Sequence, residues 1–318
     1  MKKLAVSTIA LMLLFAGTAL AADQRIAIGA SNSQSAHYAY FSAISKIIND
    51  AKIGLSVSLV ETGAAVDNLK RMERGQLDIG LSTSNTMWHA WNGTGTFQGK
   101  PIKSKMLWIY NLAAQNAIVR KDSGVTSLAG LEGKRMGPGQ RGSGTEQATE
   151  AVFKLLEIKP EWVRGSNAEI SANVKDNRTI GLIQSTVGLG FNPLTMDIAT
   201  FTDLYCLGLT PDEETKIKKD LPELTIVDMP GGKLEGRGPY RIWAFLIGVS
   251  ASPTLSDEAA YLLTKYACEN VEPQAAAFSG LVSKNLAEAT LKYCNTPLHP
   301  GAIKYYEEKG FTVPDHLK

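Results

Sequence analysis

The densest run of chemically capable residues is Gly137-Pro138-Gly139-Gln140-Arg141-Gly142-Ser143-Gly144-Thr145-Glu146. Its first six positions spell GxGxxG between an expected strand and an expected helix, the arrangement that lets backbone approach a pyrophosphate. A proline inside the pattern and its position in mid-chain argue against a dinucleotide site. A phosphate loop is also missed, because Ser143 rather than Lys follows Gly142. What remains is a glycine-rich helix start with free N–H groups and a partial positive charge, suited to a carboxylate or phosphate. Arg141 could add two parallel hydrogen bonds to a carboxylate. Two plainer roles compete: Ser143 and Glu146 have capping-box spacing, and Arg141 could be solvated or pair with Glu146.

Neutral polar residues gather on other loops that follow expected strands. Asn32, Ser33, Thr62, Gly63, Ser84 and Asn85 offer donors and acceptors for a ligand's polar groups, with Gln34 and His37 shaping specificity. Gln184, closing an expected strand, joins Ser143, Gly144 and Thr145 on the opposite side. The competing reading is that several merely cap helices, as Ser, Thr and Asn prefer to do. His37 is either a core residue at a helix start or a side chain leaning into the loop mouth. Glu61 has the wrong sign to hold an anion.

Other chemistry finds little footing. No GxSxG elbow surrounds any serine, and Asp212-Glu213-Glu214 reads as a solvated helix start rather than a glycosidase pair. The four histidines, His37, His89, His299 and His316, are scattered without metal-ligand spacing. Cys206, Cys268 and Cys294 are too few for a disulfide scaffold. Either Cys268 pairs with Cys294 or all three are buried thiols. Asn92-Gly93-Thr94 and Asn177-Arg178-Thr179 match the glycosylation triplet by chance, and Trp88 and Trp91 read as core. No cofactor is implied.

The elements that must position these loops follow a strand, polar loop, helix rhythm. Arg25 to Gly29, Leu55 to Val60 and Asp78 to Leu81 read as strands. Helices follow from Ala36 to Asp50, around Val66, Leu69 and Met72, and around Trp88 and Trp91. This predicts an α/β lobe with a largely parallel sheet. A second unit runs from the Lys134-Arg135-Met136 strand through a helix over Thr145 to Glu157 to strands at Thr179–Gln184, Tyr205–Leu209 and Thr225–Met229. Met106–Val119 and Tyr240–Ser250 are long apolar strands that read as a pair of crossovers. Helices at Ser256–Asn270, Gln274–Phe278 and Gly301–Lys309 follow. The predicted organisation is α/β with two lobes: 22–112 with 245–318, and 113–244. Ligands in such sheets sit beyond the carboxyl ends of the strands, and two facing lobes can close like a hinge.

Composition narrows the class. The chain has 318 residues, 44% hydrophobic and 20% charged, enough for a sizeable core. Lys2 and Lys3 precede an apolar run from Leu4 to Leu14 and the small residues of Ala19-Leu20-Ala21, the pattern of a cleavable signal peptide over residues 1–21. Without that segment the 33 basic residues fall to 31, matching the 31 acidic ones. A neutral protein has no global field for nucleic acid or an anionic bilayer. The expectation is an exported, soluble, periplasmic protein with neither partner.

Taken together, these segments resemble the substrate-binding proteins of tripartite ATP-independent periplasmic (TRAP) transporters, of the TAXI type. The resemblance rests on Ile28-Gly29 through Ile48-Asn49, Thr62-Gly63 with Val66-Asp67-Asn68-Leu69, and Gly75-Gln76-Leu77-Asp78-Ile79-Gly80. It continues in Asn92-Gly93, Val119-Arg120-Lys121-Asp122-Ser123-Gly124, Leu131-Glu132-Gly133-Lys134-Arg135 and Gly142-Ser143-Gly144-Thr145. Pro297-Leu298-His299-Pro300-Gly301-Ala302 and Tyr305-Tyr306-Glu307-Glu308-Lys309-Gly310 complete it. The resemblance implies a two-lobe periplasmic binding protein that delivers a small organic anion, such as glutamate, glutamine or 2-oxoglutarate, to TRAP membrane subunits without catalysis. Glu61 stands where that family commonly has a small polar residue, and Asn85 where it commonly has an aspartate. The alternatives are a periplasmic enzyme on the same bilobal scaffold and a ligand sensor for a membrane kinase.

Overall fold

A computed structural model describes residues 23–31, 33, 35–141 and 143–318. The expected signal peptide, Asn32, Gln34 and Gly142 lie outside the described residues. The chain opens with β1 (Gln24–Gly29), α1 (Ala36–Ala51), β2 (Leu55–Val60), α2 (Ala65–Glu73), β3 (Ile79–Thr83) and α3 (Ser84–Asn92). Ser35 caps α1 by accepting from the Tyr38 N–H, and Tyr40, Phe41, Ile44 and Ile48 bury one face of the helix. α3 begins earlier than the sequence suggests, so Ser84 and Asn85 occupy its first turn rather than a loop. Trp88 and Trp91 are half-buried rather than core, and Lys103 lies over the Trp91 ring.

The long strand β4 (Lys105–Arg120) leads into β5 (Arg135–Gly137), α4 (Gly144–Leu155), β6 (Glu161–Trp162), α5 (Asn167–Lys175) and β7 (Gly181–Ser185). α6 (Pro193–Ala199), β8 (Leu204–Leu207), α7 (Pro211–Asp220) and β9 (Thr225–Met229) follow. β10 (Tyr240–Ala251) then returns, ahead of α8 (Asp257–Glu269), α9 (Val271–Ala277), α10 (Leu286–Tyr293) and α11 (Pro300–Glu308). The last two helices pack back on the start of β4. The Ile109 N–H donates to Thr290 Oγ1 at 2.9 Å, and the Tyr306 hydroxyl to the Leu107 carbonyl at 2.6 Å.

One continuous sheet joins the described strands in the order β2-β1-β3-β10-β4-β7-β5-β6, with β8 also on β4 and β9 on β10. β1 pairs in parallel with β2 and β3, and β5 in parallel with β6 and β7. β4 and β10 are antiparallel to each other over 105–114 and 244–251. Beyond Ala114, β4 exchanges β10 for β7 and β8. Before Ala244, β10 pairs with β9 instead. From Met106 to Val119 every β4 residue is buried, so this strand is covered on both faces along its length.

The carboxyl ends of β1 and β3 are locked by one side chain. Asn68 of α2 is fully buried, and its Nδ2 donates to the Gly29, Ala30 and Leu81 carbonyls at 3.1, 2.9 and 2.9 Å. The site exists because its neighbours lack side chains. A Cβ on Gly29 would stand 2.5 Å from Asn68 Oδ1, and one on Gly80 3.2 Å from Asn68 Cβ. Removing a donor shared by buried carbonyls leaves part of their desolvation uncompensated, although the Ala30 carbonyl keeps Thr62. Asn68→Ala is therefore expected to lower stability by about 2–4 kcal/mol in urea unfolding. A loss below about 0.5 kcal/mol, the size of an ordinary surface substitution, would contradict this account of the clamp.

Candidate binding cleft

A cleft of about 400 Å³ lies where the carboxyl ends of β1 and β3 face the starts of α2 and α4. One wall consists of Ser31, His37, the run Gly63 to Val66, Leu81, Thr83 and Thr86. The facing wall holds Gln140, Arg141, Ser143, Gly144, Thr145 and Gln147, with Ser185 from the end of β7. Phe245 and Ile247 of β10 line the cleft between them. A wider depression of about 780 Å³ beside Phe153 and Trp162 gathers no such set of helix starts.

Capping chemistry distinguishes this cleft. Eight of the described α-helices are capped by a side chain: Ser35 on α1, Ser143 on α4, Ser166 on α5 and Asn192 on α6. Thr210, Ser256, Asn285 and His299 do the same for α7, α8, α10 and α11. α2, α3 and α9 have no such cap, and α9 continues directly from α8. The first N–H groups of α2 and α3 have no intrahelical acceptor, and Ala65, Val66 and Thr86 from these two helix starts line the cleft. Thr83 does not cap α3; its hydroxyl donates instead to Thr86 Oγ1 at 2.7 Å. Ala64, the residue before α2, adopts φ 71° and ψ −152°, a conformation that other residues leave almost wholly to glycine. Such strain costs about 1–3 kcal/mol and persists only where the surroundings fix it.

The sequence-predicted residues divide between the cleft and the framework. His37, Gly63, Arg141, Ser143, Gly144 and Thr145 line the cleft. Ser33 is exposed and held outside it, its N–H and hydroxyl both donating to Glu61, at 2.9 and 3.1 Å. Thr62 is buried, donating to the Ala30 carbonyl at 3.1 Å and accepting from the Ala64 N–H at 3.3 Å. Ser84 ties the framework together: it donates to the Glu223 carbonyl at 2.9 Å and accepts from the Leu246 N–H at 3.1 Å. Asn85 lies beneath the cleft, with its Nδ2 3.6 Å from where a Cβ on Gly144 would stand. Gln184 is buried and does not line the cleft; its neighbour Ser185 does, as strand alternation requires.

Charge in the cleft is one-sided. Arg141 is exposed and enters no ion pair among the described residues. Glu146 pairs with Arg164 at 3.1 Å, and Ser143 Oγ accepts from the Glu146 N–H, the Ser143 half of the capping-box expectation. Cys206, Cys268 and Cys294 are all free thiols. Among the described residues no group of three His, Cys, Asp or Glu side chains could hold a metal ion.

The sequence reading missed the apolar part of the cleft, Val66, Leu81, Phe245 and Ile247, and the flanking amides Gln140 and Gln147. Alternation along β10 places 245 and 247 on one face, but nothing in the sequence says which face meets a ligand.

His37 shows how the walls are built. It is half-buried, with Nδ1 3.0 Å from the Tyr110 hydroxyl and its ring 5.1 Å from that of Phe278. Tyr110 stacks on Tyr40 at 3.9 Å, and Tyr40 donates to Gln274 while accepting from the Trp108 indole. Burial pushes the imidazole pKa down to about 4. The sign follows: between about 6.5 and 4 the unfolded chain binds a proton that the folded chain refuses, so stability falls as the pH falls. The full effect is about 3 kcal/mol. Wild type should therefore lose about 2–3 kcal/mol more than His37→Gln between pH 7 and pH 4 in urea unfolding. Parallel curves would contradict the buried neutral imidazole.

Among solved structures, XAC2383 from Xanthomonas citri bound to ATP superposes with TM-score 0.56 at 12% identity, over 90% of this chain and 95% of that one. An ABC uptake transporter substrate-binding protein from Streptococcus pneumoniae, with bound histidine, gives TM-score 0.50 at 13% identity, over 82% and 94% of the two chains. At these identities the likeness is one of fold, the two-lobe α/β architecture of periplasmic binding proteins. No described helix is long and apolar enough to cross a membrane. The NMT1-like family model matches residues 28–310, nearly the whole chain, and the protein belongs to the NMT1-like family.

Proposed function

We propose that the protein is a solute-binding receptor that captures a small organic anion bearing a carboxylate between two lobes. One observation carries the reading: the only ionised side chain lining the cleft, among the described residues, is the guanidinium of Arg141, opposite the uncapped starts of α2 and α3. A guanidinium can hold a carboxylate by two parallel hydrogen bonds, and helix N–H groups serve the remaining lone pairs. The lobes are 22–112 with 245–318, and 113–244. The change of strand partners at Ala114 and Ala244 supports that division and makes β4 and β10 the hinge.

A receptor fits better than an enzyme, because among the described residues no carboxylate lines the cleft with His37 or Arg141 to form an acid–base pair. The partner in this reading is the membrane subunits of a TRAP transporter, reached in the periplasm after export, as the sequence resemblance implies. The Streptococcus neighbour belongs to an ABC uptake system, which supplies the competing partner class. Transport into proteoliposomes holding one or the other permease distinguishes them.

Charge-assisted hydrogen bonds contribute about 1.5–3 kcal/mol. Arg141→Ala should therefore weaken binding of the tightest carboxylate from a thermal-shift screen by roughly ten- to a hundredfold in titration calorimetry. Unchanged affinity would place the anion elsewhere.

A further inference from the structure

The chemistry that the cleft lacks defines its ligand more narrowly. An amino acid brings an ammonium group beside its carboxylate, and a buried ammonium must meet a carboxylate or a set of free carbonyls. No Asp or Glu lines the cleft among the described residues. Asn32, Gln34 and Gly142, which lie outside the described residues, carry no charge by type.

Each acid around the rim has a partner of its own among the described residues. Glu61 accepts from the Ser33 N–H and hydroxyl. Asp67 accepts from the Gly63 N–H at 3.1 Å and pairs with Arg71 at 2.9 Å. Glu146 pairs with Arg164, and Glu169 accepts from the Ser166 N–H at 2.7 Å in the α5 cap.

The backbone carbonyls at the strand ends are already engaged, and the amides of Gln140 and Gln147 bring neutral oxygens but no counter-charge. The carbonyls at the ends of β1 and β3, Gly29, Ala30 and Leu81, are taken by Asn68, and Ala30 receives Thr62 as well. The Ser31 carbonyl accepts from the Thr62 N–H at 3.3 Å. His37 presents a neutral imidazole already bonded to Tyr110. Along the same wall Val66 and Leu81 face Phe245 and Ile247, a surface suited to hydrocarbon.

We infer that the cleft selects carboxylates without an ammonium group, such as 2-oxo and 2-hydroxy acids with an apolar body, and rejects the corresponding 2-amino acids. This inference rests on the carboxylate reading above and sharpens it: of the ligands implied by the sequence resemblance, it removes glutamate and glutamine. The keto or hydroxyl oxygen, being neutral, is served by the Thr83, Thr86 or Ser185 hydroxyls without a counter-ion.

The test is titration calorimetry of the mature protein with matched sets sharing one carbon skeleton: 2-oxoisocaproate, 2-hydroxyisocaproate and leucine, then phenylpyruvate, phenyllactate and phenylalanine. The amide of each hydroxy acid serves as the neutral control. The inference expects the oxo or hydroxy acid of at least one set to bind about a hundredfold more tightly than its amino acid. The amide should also bind more weakly than the acid. An amino acid that binds as tightly as its oxo and hydroxy partners overturns the inference and leaves the carboxylate reading standing. An amide that binds as tightly as its acid overturns both, as does the absence of binding by every acid.

Discussion

Every backbone group in a buried crossover must find a partner, and this protein meets that requirement by making the crossovers strands. β4 and β10 pair with each other over about two thirds of their lengths and then exchange partners, at Ala114 toward β7 and β8, and at Ala244 toward β9. The sheet therefore never breaks between the two lobes. Because the link is two strands wide, a change in their local twist can move one wall of the cleft against the other without exposing unpaired N–H or C=O groups. Ser84 reinforces the same point, joining the Leu246 N–H to the Glu223 carbonyl through its hydroxyl.

The cleft inherits its character from that geometry. Parallel strands deliver helix starts to one edge, so partial positive charge accumulates at the mouth. The molecule leaves α2 and α3 uncapped while capping nearly every other helix, and commits nearby acids to backbone N–H groups and arginines. Asn68 consumes the carbonyls that would otherwise dilute the positive field. The strained backbone at Ala64 fits the same pattern, a locally costly conformation held at the mouth by surrounding hydrogen bonds.

Much of the fold was legible because the strand and helix periods are clean in the first 120 residues and the two long strands are mostly apolar. α5, α6 and α10 were not legible. They are short, and α5 buries only Ile170, Ser171 and Val174, too few positions to display a helical stripe. Within the cleft, Arg141 and Ser143-Gly144-Thr145 were readable because glycine and charge mark a helix start. Ser84 and Thr62 bond the framework for a physical reason: a polar residue beside a strand end satisfies backbone groups as readily as a ligand. Gln184 and Ser185 differ by one step of a strand, and sequence polarity does not fix which of two polar neighbours faces inward.

The central claim is that β4 and β10 act as a hinge that closes the cleft on its anion. Small-angle X-ray scattering of the mature protein, with and without the saturating carboxylate that binds most tightly, tests it directly. The account predicts a smaller radius of gyration with ligand, as the population shifts to a closed form. An identical radius, with binding confirmed in the same sample, would contradict it.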